Sequence, residues 1–153
     1  MRHAILIVGL VFLLGLAPQA QAVDEPENVI KYRQSVMKAF GGHMGGIVGV
    51  VKGEVSYVGD VVVHAQSVNA MSKLLVGIFP KGTSQMESAN TRALPAIWDD
   101  FSKLEAAAKA LETESAKMVE VAASGDLGAI GAQLKKVGAA CGSCHKPFRQ
   151  KKK

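Results

Sequence analysis

The chain has 153 residues, with 18 basic and 13 acidic side chains and a net charge of +5. That length holds one domain around a single core, not two. The only two cysteines, Cys141 and Cys144, lie three apart, so a bridge between them would constrain little of the chain and a disulfide-built fold is excluded.

Arg2 and His3 precede an apolar run from Ala4 to Leu16, and Ala20-Gln21-Ala22 is a small-x-small cleavage site. This is the pattern of a secretory signal peptide over residues 1–22. The run is short for a membrane span, which needs about 20 apolar residues. The expected mature domain is therefore 23–153, exported and so kept away from nucleic acid. The basic end Lys151-Lys152-Lys153 reads as a solvated helix end, or as a dock for an acidic surface.

Four helices follow, with no convincing strand. From Glu27 to Val51, apolar residues at Val29, Tyr32, Val36, Phe40, Met44, Ile47 and Val51 recur in steps of three and four, which puts them on one helical face. Gly41, Gly42, Gly45, Gly46 and Gly49 interrupt the same stretch, each costing about 0.5–1 kcal/mol relative to Ala. The helix should depend on packing, and its small residues allow a bulky group to approach. Lys52 to Gly59 connects it to a second helix, capped by Asp60 and running to about Phe79, with Val61, Ala65, Val68, Leu75 and Phe79 on one side. Pro80 to Arg92 is the longest loop. Pro95 suits the first turn of a third helix, whose stripe is Leu94, Ile97, Phe101, Leu104, Ala108, Leu111, Ser115, Met118 and Ala122. Gly125 ends it and Asp126 caps the fourth. Amphipathic helices with mostly short connections predict an all-α fold, an antiparallel up-down four-helix bundle.

The fourth helix is the most regular. Leu127, Ile130, Leu134, Val137, Cys141, Cys144 and Phe148 follow alternating steps of three and four, and His145 lies four beyond Cys141 on the same side. Cys141, Cys144 and His145 supply too few ligands for a structural zinc site, which needs four. His43 or His64 could add one, but adjacent Cys and His ill suit one tetrahedron. A thioredoxin-like dithiol needs a strand–helix setting that the sequence lacks. Covalent haem attachment accounts for Cys-x-x-Cys-His best: the two thiols hold the porphyrin and the following histidine reaches the iron. A bundle can open the slot that a large flat apolar group requires.

The chain resembles the class II c-type cytochromes, that is, cytochrome c′ and its low-spin relatives. The resemblance rests on Lys31-Tyr32-Arg33-Gln34, Lys52-Gly53-Glu54, Phe79-Pro80-x-Gly82-Thr83, Pro95-Ala96-Ile97-Trp98, Gly125-Asp126-Leu127 and Cys141-Gly-Ser-Cys144-His145-x-x-Phe148-Arg149, in the family's order across nearly the whole mature chain. It implies one haem c bound through Cys141 and Cys144, with His145 as proximal iron ligand. It also implies Arg33 and Gln34 near the haem propionates, Arg149 near the haem, and a homodimer through the first two helices. The role implied is periplasmic redox or gas-binding work with a redox partner protein.

The sixth iron position decides the function: the expectation is a one-electron carrier with Met37 as sixth ligand, and the alternative is a gas-binding protein with an open iron. In the low-spin relatives a methionine in the first helix ligates the iron, and here Met37 lies four residues beyond Arg33. A thioether there would give a one-electron carrier with a His/Met pair. Methionine is also a common core filler, and with Met37 only shielding an open iron the protein would bind nitric oxide or carbon monoxide. Met44 and His43 are the further candidates for the position, whereas His64 reads as structural. A peroxidase would want a distal acid or base, and the surroundings of Met37, Phe40 and Met44 are apolar, so no enzyme is expected.

Overall fold

Pro26 supplies a preset φ and lacks only an N–H that a first turn leaves unpaired, and from it the first helix, α1, runs over Pro26–Val51. The computed structural model describes residues 24–151; the expected leader, 1–22, lies outside them. The five glycines do not interrupt α1. At its end Gly53 takes a left-handed φ of 73°, and the Lys52 and Glu54 N–H groups donate back to the Val48 and Gly49 carbonyls.

A short 3-10 turn, Val58–Asp60, leads into α2, Val61–Ser72. The sequence predicts this helix to about Phe79, and the structure shortens it. Beyond Ser72 the chain tightens into successive i→i−3 hydrogen bonds, Leu74 to Met71, Leu75 to Ser72 and Gly77 to Leu74. Leu75, Ile78 and Phe79 stay buried, so the apolar spacing is real although the backbone carrying it is not α-helical.

The third helix is also corrected. It is two segments, α3 over Ala96–Asp99 and α4 over Phe101–Ala122, parted at Asp100, where φ is −144° and ψ is 80°. The Asp100 carboxylate accepts from the Ser102 hydroxyl at 2.6 Å, a local bond of the kind that draws aspartate out of helix interiors. The fourth helix, α5, spans Leu127–Phe148 as expected. Gly125 has a φ of 68°, and the Asp126 carboxylate accepts from the Gly128 and Ala129 N–H groups at 2.8 and 3.1 Å.

The four long helices α1, α2, α4 and α5 form the bundle. Its central element is α4, packed on both α2 and α5, while α1 leans on α2 and, less extensively, on α5. Ile47, Val61, Val68, Leu104, Met118, Ile130 and Val137 make the driest part of one continuous core. The expected stripes are rotated in places. On α1, Tyr32 is exposed and Ile30 and Arg33 are buried instead. On α5, Ile130, Val137 and Phe148 are buried as expected, but Leu127 is exposed and Leu134, Cys141 and Cys144 are half-buried. Gln133 and Ala140 fill the fully buried register. Gln133 is accommodated there because its amide donates to the Glu114 carbonyl and carboxylate at 2.9 and 2.8 Å. The two cysteines fall short of full burial because they border a cavity.

Candidate functional site

That cavity has a volume of about 650 Å³ and a largely apolar lining. The end of α5 contributes Cys141, Cys144 and His145, the residue that follows it contributes Arg149, and α1 contributes Arg33, Gln34, Met37, Phe40 and Met44. Leu75 and Phe79 close one flank, Leu104 and Leu111 of α4 another, and Asn90 to Ala93 form the rim. Arg33, Gln34, Met37, Cys141, Cys144, His145 and Arg149 therefore meet in one place.

Electrostatics suits the three motif residues to a buried cofactor. Burial raises the thiol pKa of Cys141 and, with a contribution from Cys141, that of Cys144. Burial lowers the pKa of His145, helped by the nearby charges of Arg149 and Arg92. Its neutral imidazole, the form that binds a metal, is thereby favoured. The residue set fits haem c: two thiols and an imidazole on one helix end, an apolar hollow within the usual 300–1,000 Å³ range of cofactor sites, and cationic side chains at its edge.

The first-helix pair is split: Gln34 is exposed, whereas Arg33 is buried. Arg33 is only 3% exposed. Its Nη1 donates to the Ile78 carbonyl at 3.3 Å and the Thr83 hydroxyl at 2.9 Å; its Nη2 donates to the Thr83 carbonyl at 2.8 Å and the Thr91 hydroxyl at 2.9 Å. The guanidinium carbon stands 4.8 Å from the centroid of the Phe79 ring. Both terminal nitrogens are thus committed to the Ile78–Thr91 segment. The Gln34 side-chain amide donates to the Asn90 carbonyl beside them. Arg33 clasps the rim loop to α1 while forming part of the cavity wall.

The same loop is tied to α5. Ala93 and Arg149 form an isolated antiparallel bridge, the Leu94 N–H donates to the Phe148 carbonyl at 3.0 Å, and the Gln150 N–H donates to the Arg92 carbonyl at 2.9 Å. Thr83, Thr91 and Arg92 were not foreseen from the sequence as site residues. The only signal was the Phe79-Pro80-x-Gly82-Thr83 string, where Gly82 adopts a φ of 80° and the Thr83 hydroxyl caps the turn by donating to the Pro80 carbonyl.

His43 does not line the cavity. A candidate for the sixth iron position by sequence, it instead bonds to another helix, its Nδ1 lying 3.0 Å from Nδ1 of His64. That leaves Met37 and Met44 as the sulfur-bearing α1 residues at the site.

Comparison with known proteins agrees with this geometry. The Cytochrome C′ family matches residues 28–149. The chain is 33% identical over 144 residues to the cytochrome c′ of Rhodospirillum rubrum, covering 94% of this chain and 96% of that one. Among solved structures it is similar to a cytochrome c′ described as having an unusual ligand-controlled dimer dissociation, at 29% identity and a TM-score of 0.78, covering 85% of this chain and all of that one. It is also similar to a ferrous arginine variant of the cytochrome c′ from Alcaligenes xylosoxidans with bound nitric oxide, at 30% identity and a TM-score of 0.75, covering 86% of this chain and all of that one.

Proposed function

The chain belongs to the cytochrome c′ family of haem proteins, which carry one covalent haem c, and from that premise we propose that it is a periplasmic gas-binding cytochrome whose α1 wall faces an open iron position. Cys141 and Cys144 would hold the ring by thioethers and His145 would hold the iron from α5. Bound there, haem would supply a one-electron redox centre able to take a diatomic gas. The observation that carries the reading is the composition of the α1 wall. Met37, Phe40 and Met44 offer bulk and no hydrogen-bond donor, so they exclude water and favour small apolar ligands such as nitric oxide or carbon monoxide. The nitric oxide complex of the Alcaligenes relative supports the same choice.

Gln34 and Arg149, at the cavity edge, would meet the propionates and the ring periphery, while Arg33, its terminal nitrogens committed to the Ile78–Thr91 segment, would hold the rim loop beside them instead of pairing with a propionate. Residues 23–153 would form the mature domain after removal of 1–22. Val55, Tyr57 and Val63, all exposed around the start of α2, would join two copies through α1 and α2.

A second reading has its own support. Met37 brings a soft thioether into the cavity, and His43 is no longer a competitor. With Met37 as sixth ligand the protein would be a one-electron carrier serving a periplasmic redox partner. Absorption spectra of the reduced protein with and without carbon monoxide separate the two. An immediate shift of a high-spin spectrum upholds the open site. A low-spin spectrum with a weak far-red sulfur-to-iron band, lost in Met37→Ala, establishes the carrier.

A further inference from the structure

On the face of α1 and α2 away from the cavity lining, His43 and His64 present two imidazoles whose Nδ1 atoms are 3.0 Å apart and whose ring centroids are 5.3 Å apart at an interplanar angle of 60°. The packing fixes which nitrogen of His64 is available. A Cβ on Gly46 would stand 2.7 Å from its Nε2, so that edge of the ring lies shut against the α1 backbone and Nδ1 is left turned toward His43. Both rings are half-buried and reachable from solvent.

We propose that His43 and His64 form a two-imidazole chelate for a divalent transition-metal ion, Cu(II) foremost, separate from the haem cavity and independent of how the haem site works. Two metal–nitrogen bonds of about 2.0–2.1 Å spanning 3.0 Å enclose an angle of about 95°. That is the cis angle of a square-planar or tetragonal centre, the geometry of Cu(II) and Ni(II), and Cu(II) stands highest in the divalent affinity order. A tetrahedral zinc ion would need the nitrogens spread to about 3.3–3.4 Å at the same bond length. In the metal-free pair one Nδ1–H donates to the other Nδ1. As the metal enters, that ring takes its proton on Nε2 instead, each ring swings to aim its lone pair off the N···N line, and no net proton is released. Among the described residues no third His, Cys, Asp or Glu joins the pair, so water completes the coordination.

The test is a Cu(II) titration of the mature haem-loaded protein, followed by electron paramagnetic resonance. One equivalent should bind, with hyperfine structure from two imidazole nitrogens and no change in the haem absorption spectrum. His43→Gln and His64→Gln should each weaken binding at least tenfold. Gly46→Ala, which keeps both ligands but crowds the His64 ring, should weaken it as well. Equal affinity in the His43→Gln, His64→Gln double variant, or a wild-type signal with fewer than two imidazole nitrogens, overturns the proposal. The wild-type signal decides even where a variant fails to fold.

Discussion

Replacing Arg33 with Met tests whether the clasp, and not the apolar contacts alone, holds the rim of the cavity. The substitution keeps the aliphatic stem and deletes four hydrogen bonds, to the Ile78 and Thr83 carbonyls and the Thr83 and Thr91 hydroxyls. The two hydroxyls can turn to other partners, but the two carbonyls are left without their donors, at about 1–3 kcal/mol each. Loss of the cation over the Phe79 ring adds about 0.5–2 kcal/mol. Against this stands relief of the buried charge, which has no carboxylate partner among the described residues. The expected net loss is about 3–5 kcal/mol, at the upper end of single-substitution effects, as breaking a buried hydrogen-bond network gives. For a domain of this size that lowers the thermal midpoint by about 10–20 °C. Thermal unfolding of the haem-loaded protein by circular dichroism measures it, with limited proteolysis of the Pro80–Arg92 loop as a local readout. A loss under about 1 kcal/mol with no faster cleavage would refute the clasp. Lys38→Met, at an exposed position one turn on, should change stability by no more than about 0.5 kcal/mol.

Asp126→Ala removes the acceptor for two N–H groups at the start of α5 and should cost about 1 kcal/mol in denaturant unfolding. Gly45→Ala should stabilise the protein by about 0.5–1 kcal/mol, because a Cβ there meets nothing within 4 Å and alanine is the better helix former. Gln133→Leu removes two hydrogen bonds to Glu114, but the Glu114 carbonyl keeps its donor within α4 and its carboxylate keeps Lys117, so the cost should be about 0.5–1.5 kcal/mol by the same assay.

Local chemistry explains what could be read from the sequence. The Asp126 cap, the Gly125 turn and the placement of Met37 one turn beyond Arg33 depend on neighbours within a few residues, and all three stand as the spacing implied. The α5 stripe was legible as an apolar face but not in its exact register. A face with steps of three and four admits two adjacent rows, and only the cavity determines that Gln133 and Ala140 are fully buried while Cys141 and Cys144 stand at its edge. The break at Asp100 was hidden because Ile97, Phe101 and Leu104 keep helical spacing across it. For Arg33 the sequence offered only the propionate role that the resemblance implies, because the partners it clasps lie 45 to 58 residues away. The His43–His64 pair, 21 residues apart on two helices, likewise had no local signature.

The identity of the cavity's occupant is open to one direct measurement, intact-mass spectrometry of the mature protein produced with haem-attachment machinery. One covalently added haem per chain is expected, lost when Cys141 and Cys144 are both replaced by Ala. A wild-type chain of unmodified mass would contradict the assignment of Cys141, Cys144 and His145 as the seat of the cofactor.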